Sequence, residues 1–258
     1  MNIQNDCITP DWPAPKNVKA LQTTRRGGAS AGPYQTFNLG DHVGDAAMAV
    51  ERNRILLESV LPSEPVWLKQ VHGTTVVDAA QAACWPEADA CVSTHPGAVC
   101  VVMTADCLPV LLCDDNGSIV AAAHAGWRGL CDGVIEQTVQ AMKMPPANLM
   151  AWLGPAISAR AFEVGDEVRD AFISRQSEAA AAFVPFAPET QKAGSGKKWR
   201  ADIYQLARLR LQALGITRIY GGDLCTYTDK EHFFSYRRNG VTGRMGTFIW
   251  LDYSRTSS

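Results

Sequence analysis

Apolar positions along the 258-residue chain follow two periods. Over 46–61, Val50, Leu57 and Leu61 share one helical face, and Pro62 closes the run. An amphipathic helix is expected over 130–142, stopped by Pro145 and Pro146, and another over 166–183, Ala-rich at its end. The segment 202–214 carries apolar residues at 203, 206, 207, 211 and 214, a helical spacing with Gly215 as its stop. Strand-like runs occupy 66–71, 74–77, 99–103, 108–113, 119–123, 217–220 and 247–251. A turn-rich stretch covers 23–44, and 185–198 is a long polar loop. Hairpin turns are too frequent for a purely parallel sheet. The expected fold is α+β: a single catalytic domain, 23–258, of mixed β-sheets with flanking helices, after a loosely ordered N-terminal arm, 1–22.

Composition narrows the function classes. Apolar residues make up 47% and charged residues 19%, as in ordinary globular domains. Lys plus Arg number 24 against 26 Asp plus Glu, so no broad basic field marks a nucleic-acid or membrane-surface binder. Apolar runs reach only six residues, as at 98–103, far short of a bilayer span. The start has no basic-then-apolar leader, and the eight Cys form no C-x-x-C pair, so a reduced, cytoplasmic protein is expected. AGSGKK at 193–198 lacks the spacing of a phosphate-binding loop and follows no strand.

The richest stretch for chemistry is 104–129. Two apolar runs flank Asp114-Asp115-Asn116-Gly117, a hairpin signal. A loop at Asp115-Asn116 sets Cys107 opposite His124, whereas a loop at Asn116-Gly117 sets His124 opposite Pro109 with Cys107 on the diagonal. Either register puts thiol and imidazole on one face; a three-residue loop would not. Such a pair can ligate a metal or act as nucleophile and base. His124 enters Ala-Gly-Trp-Arg-Gly, a turn before a helix. His72 is the best third ligand, since His42, His95 and His232 sit in surface-like turns. Three protein ligands would leave the open position of a catalytic zinc.

KQVHG at 69–73, TADCLPVLL at 104–112, HAGWRG at 124–129, FEVGD at 162–166, DLCTYT at 223–228 and FFSYRRNGVTGRMG at 233–246 together resemble the YfiH family. That family has been called polyphenol oxidase or multicopper-oxidase-like, and is associated with purine nucleoside phosphorylase and adenosine deaminase activity. The resemblance runs from about 23 to 251, with a small departure at Arg26-Gly27-Gly28-Ala29-Ser30. It implies a fold similar to the cytotoxic necrotizing factors, with metal on His72, Cys107 and His124, which would also be the catalytic residues. It further implies a zinc-dependent phosphorylase acting on inosine, adenosine or methylthioadenosine, with deaminase activity. The cofactor would be Zn2+, with copper the other candidate. The partners would be a purine nucleoside and phosphate, with no nucleic acid and no membrane, in a monomer or homodimer.

Three alternatives stand beside this: a laccase-like copper polyphenol oxidase, a metal-free Cys–His hydrolase, and a peptidoglycan-precursor editing factor. Five His are too few for a laccase's four coppers. Arg237 and Arg238, with Arg244 close behind, offer cations for phosphate, and Arg128 sits beside the expected ligands. Arg52 and Arg54, on the first helix, are placed to reach a purine or ribose, or lie on its surface. Asp106 either orients a ligand His or caps a turn, and Asp89 reads as a structural hydrogen-bonding residue.

Overall fold

The structure, a computed structural model, describes residues 3–186 and 197–253. The tip of the polar loop and the first part of AGSGKK lie outside the described residues. The strands are β1 (Cys7–Ile8), β2 (Val18–Thr23), β3 (Val76–Asp78), β4 (Ala90–Ser93), β5 (Cys100–Thr104), β6 (Leu108–Asp114), β7 (Val120–Ala125), β8 (Leu149–Leu153), β9 (Glu163–Gly165), β10 (Phe183–Phe186), β11 (Lys198–Ala201), β12 (Arg218–Gly221) and β13 (Met245–Leu251). The helices are α1 (Ala47–Leu57), α2 (Trp127–Asp132), α3 (Val134–Met142), α4 (Asp166–Arg175), α5 (Ile203–Ala213) and α6 (Tyr236–Asn239).

A six-stranded sheet, β12–β8–β6–β7–β4–β3, packs on a four-stranded sheet, β1–β2–β13–β5. A small sheet, β10–β11–β9, stands beside them. The large sheet is mixed, with β8–β12 and β3–β4 parallel and its other pairs antiparallel. Strands β6 and β7 are buried on both faces, which is why they read as continuous apolar runs. Leu108, Val110, Leu112, Ala121 and Ala123 face α3, α4 and α5, whereas Leu111, Cys113, Val120 and Ala122 meet Cys100, Val102 and Ile249 of the smaller sheet. The outer face of that sheet packs Val101, Met103, Phe248 and Trp250 against Leu57 of α1. The fold is thus a single mixed α+β domain, as expected.

Local departures have physical causes. The expected loose arm is instead built in: β1 pairs with β2, β2 pairs with β13, and Ile3 is buried. Extended 66–71 forms only isolated bridges, because the Gln70 amide donates to Met103 O and accepts from Met103 N in place of a ladder. The helix expected over 130–142 breaks at Gly133, whose φ of 104° suits glycine, into α2 and α3. Residues 166–183 form α4 and then a 3₁₀ turn after Gln176 turns extended.

The hairpin keeps the diagonal register, with Pro109 opposite His124. Its connection is longer than a two-residue loop, because the Asp114 carboxylate accepts from Ser118 N, Ser118 Oγ and Ile119 N and holds a wider turn. Cys107 at the start of β6, His124 near the end of β7 and Asp89 before β4 therefore gather at one end of the large sheet. The end of β5 and the start of β13 lie at the same end of the sandwich.

Candidate active site

Asp89 organises the centre. It is fully buried, and its Oδ1 stands 2.8 Å from His124 Nδ1. His72 N donates to Oδ1 at 2.9 Å, while Val71 N and Gly73 N donate to Oδ2 at 3.1 and 2.7 Å. This anion nest holds His72 in the left-handed region at φ 61° and so swings its ring towards the large sheet. With its proton on Nδ1 facing Asp89, His124 turns Nε2 towards the cavity.

The ligand atoms of His72, Cys107 and His124 all lie within 4.8 Å of one another. Cys107 Sγ is 3.8 Å from His72 Nε2, and the two imidazole rings stand 4.8 Å apart, edge to face. In a tetrahedral site with Zn–S near 2.3 Å and Zn–N near 2.0 Å, such atoms are roughly 3.5 Å apart, so the group fits a single ion after small adjustment. Gly126 is required here: a Cβ on it would come 2.7 Å from His72 Cδ2 and 3.1 Å from Cys107 Sγ.

Electrostatics couple the three groups. Burial opposes a charged Cys107, but the His124 charge and hydrogen bonds from His124 and His72 outweigh it and bring the thiol down to about 6. Burial likewise opposes a charged His124, yet the Cys107 thiolate and the bond to Asp89 raise it to about 9. For Asp89 too, burial is outweighed, by hydrogen bonds from His124, Gly73 and Val71, and its pKa is lowered.

Asp106, at φ 102°, does not touch a histidine. Its carboxylate accepts from Thr226 Oγ1 and from Arg237 N, both at 2.6 Å. It pins the corner before Cys107 to α6, and orienting a histidine falls to Asp89.

These side chains open into a cavity of about 470 Å³, within the usual range for a small-molecule site. Arg237 and Arg244 line it, with Trp127, Ile157 and Phe162 on its apolar wall. Arg237 donates to Ala161 O and Glu163 O. Arg244 spends only Nη1, on the carbonyls of Thr242 and Gly243. Burial lowers the Arg244 pKa, against the partial opposition of Cys107 and Asp106.

Arg52, Arg128 and Arg238 are not among the lining residues. Arg52 is an exposed residue of α1, and Arg128 lies over the Trp127 ring at 4.7 Å. Arg238 donates to the carbonyls of Thr226, Tyr227 and Phe233, which makes it a brace. His42, expected at the surface, is exposed and also lines the cavity.

A family profile described as multi-copper polyphenol oxidoreductase laccase matches residues 19–252. A protein of Escherichia coli (strain K12), named purine nucleoside phosphorylase YfiH, is 55% identical over 247 residues, 95% of this chain and 98% of that protein. The chain belongs to the YfiH family. A purine nucleoside phosphorylase of Haemophilus influenzae is 50% identical, covering 95% of this chain and 99% of its own length. The crystal structure of a Neisseria meningitidis protein matches with TM-score 0.88 at 55% identity, over 96% of this chain and 99% of that one. That of a Bacillus licheniformis YfiH gives TM-score 0.80 at 28% identity, over 91% and 93%. The profile's description speaks of several coppers. Among the described residues of this YfiH-family chain, one His-Cys-His group suits an ion. No helix among them is long and apolar enough to cross a membrane.

Proposed function

We propose that this chain is a zinc-dependent purine nucleoside phosphorylase that cleaves inosine and adenosine with phosphate and also deaminates adenosine. The observation that carries the reading is one cavity joining His72, Cys107 and His124 to the guanidinium of Arg244. The names of the relatives point the same way.

In this reading Arg244 holds phosphate through Nε and Nη2, and Arg237 adds positive charge beside it. The phosphate oxygen attacks the anomeric carbon, the bond to the base breaks, and the base leaves with the electron pair. The wall of Trp127, Ile157 and Phe162 limits water, so that phosphate takes the sugar. Asp89 fixes the Nδ1 proton of His124 and the backbone of His72, holding the centre ready before substrate arrives. His72, Cys107 and His124 would hold the metal, which supplies Lewis-acid charge at the substrate when bound. Neither reaction transfers electrons, so redox-inert zinc suits this set of one thiolate and two imidazoles better than copper.

Deamination of adenosine needs water in place of phosphate and therefore runs without it. Inosine is incubated with and without phosphate, and adenosine without it, with products separated chromatographically. Hypoxanthine only with phosphate, and ammonia in its absence, support the reading. Neither product from zinc-replete protein rejects it.

One observation favours a second reading. Cys107, His124 and Asp89 stand in the order of nucleophile, base and orienting carboxylate, with the thiol at about 6. A metal-free hydrolase would keep its activity after chelation, whereas the phosphorylase would lose it.

A further inference from the structure

Among the described residues, three aromatic rings besides the imidazoles line the cavity: Trp127, Phe162 and Tyr236. Two are already covered. The Arg128 guanidinium lies over Trp127 at 4.7 Å. Phe162 is 7% exposed and lies beneath Arg237 at 5.8 Å. Tyr236 remains 60% exposed on the cavity wall. Arg244 approaches its ring at 6.0 Å, the outer limit of a cation–π contact.

The backbone beneath this ring is held on several sides. Arg237 N donates to Asp106 Oδ2 at 2.6 Å, and Arg238 N donates to Ser235 Oγ at 3.2 Å. The Arg238 guanidinium clamps the carbonyls of Thr226, Tyr227 and Phe233 around the same turn. A large ring left open to water on a fixed backbone is preorganised to receive a flat partner.

We infer that Tyr236 is the platform on which the purine ring of the substrate stacks, a specificity residue for this site. The inference rests on the phosphorylase reading, which requires both a flat base and an anion. Phosphate and pentose have no π face, so the base is the part of the substrate that matches an open ring. Arg244, beside Tyr236 in the lining of the same cavity as the His-Cys-His group, offers the anion a cation next to the platform. The sugar then lies between base and phosphate, as phosphorolysis demands.

The test uses the full chain as wild type, Tyr236→Ala and Tyr236→Phe. Hypoxanthine binding is measured by titration calorimetry, which needs no turnover, and KM is measured for inosine and for phosphate. Tyr236→Ala is expected to weaken hypoxanthine binding about tenfold and to raise the inosine KM similarly. Tyr236→Phe should stay within about twofold of wild type, because stacking needs the ring and not the hydroxyl. The phosphate KM should not move in either variant. Hypoxanthine binding unchanged in Tyr236→Ala, an equal loss in Tyr236→Phe, or no binding by wild type overturns the platform. Wild type that binds hypoxanthine through Tyr236 but never cleaves inosine leaves the platform standing and overturns the phosphorylase.

Discussion

Asp89→Asn separates an organising carboxylate from a merely space-filling one. Each oxygen of Asp89 accepts twice, from His72 N and His124 Nδ1 on Oδ1 and from Val71 N and Gly73 N on Oδ2. An amide keeps only one acceptor. On the Oδ2 side its amino group confronts Val71 N and Gly73 N; on the Oδ1 side it confronts His72 N, and His124 can accept from it only in the other tautomer; either way the charge is lost. Up to two orphaned donors at roughly 1 kcal/mol each, the low end because the 71–73 segment reaches solvent, give a destabilisation of about 2 kcal/mol. The His124 tautomer is no longer enforced and the His72 backbone is released, so metal affinity should fall about 10–100-fold.

The pH dependence of the same contact carries a sign. The folded pKa of Asp89 is lowered, so its stabilisation is present above the unfolded value of about 3.9 and disappears as pH falls through the lower folded value. The asparagine variant should lack that acid-side dependence. Urea denaturation of metal-free protein gives the stability difference, and competition with a chromophoric chelator gives the affinity. A variant within about 0.5 kcal/mol of wild type that keeps full metal affinity would refute the organising role.

Other substitutions probe the rest of the centre. Gly126 has ordinary backbone angles, φ −63° and ψ 157°, so Gly126→Ala acts only through its Cβ; it should displace His72 and Cys107 and lower metal content, read by elemental analysis. Arg244→Gln should raise the phosphate KM at least about tenfold and change the inosine KM little, since it removes a charged donor. In metal-free protein the Cys107 thiolate should titrate near 6, followed by ultraviolet absorbance or alkylation rate. The Cys107 contribution to stability is lost as pH falls through about 6 and that of His124 as pH rises through about 9, so the thiolate–imidazolium pair stabilises the metal-free fold between those values. A thiol titrating at its ordinary value near 8.5 would contradict this coupling.

Much of the site was legible because a strand's period of two is robust. Cys107 and His124 share a face in either hairpin register, and the one adopted is the diagonal one. Elimination among the five histidines points to His72 and the resemblance agrees, but no spacing could place it, because Asp89, 17 residues away, turns the chain through three backbone N–H groups. An aspartate in Ala-Asp-Ala carries no local sign of such a nest. The arginines were harder still. Arg237, Arg238 and Arg244 look alike in sequence, yet Arg238 braces carbonyls away from the cavity, whereas Arg237, though also bonded to two carbonyls, and Arg244 line it. Helix breaks at Gly133 and Gln176, and the pairing of the first residues into the smaller sheet, follow from tertiary packing that overrides local periodicity.

The most direct test of the central claim follows inosine turnover with inorganic phosphate, ribose 1-phosphate by phosphorus NMR and hypoxanthine by chromatography, in parallel on zinc-replete wild type and Cys107→Ala. Burial across two packed sheets keeps the variant folded, which circular dichroism verifies. The account predicts ribose 1-phosphate appearing in step with hypoxanthine in wild type, and neither product in Cys107→Ala. Hypoxanthine without ribose 1-phosphate, or equal turnover by both proteins, would contradict it.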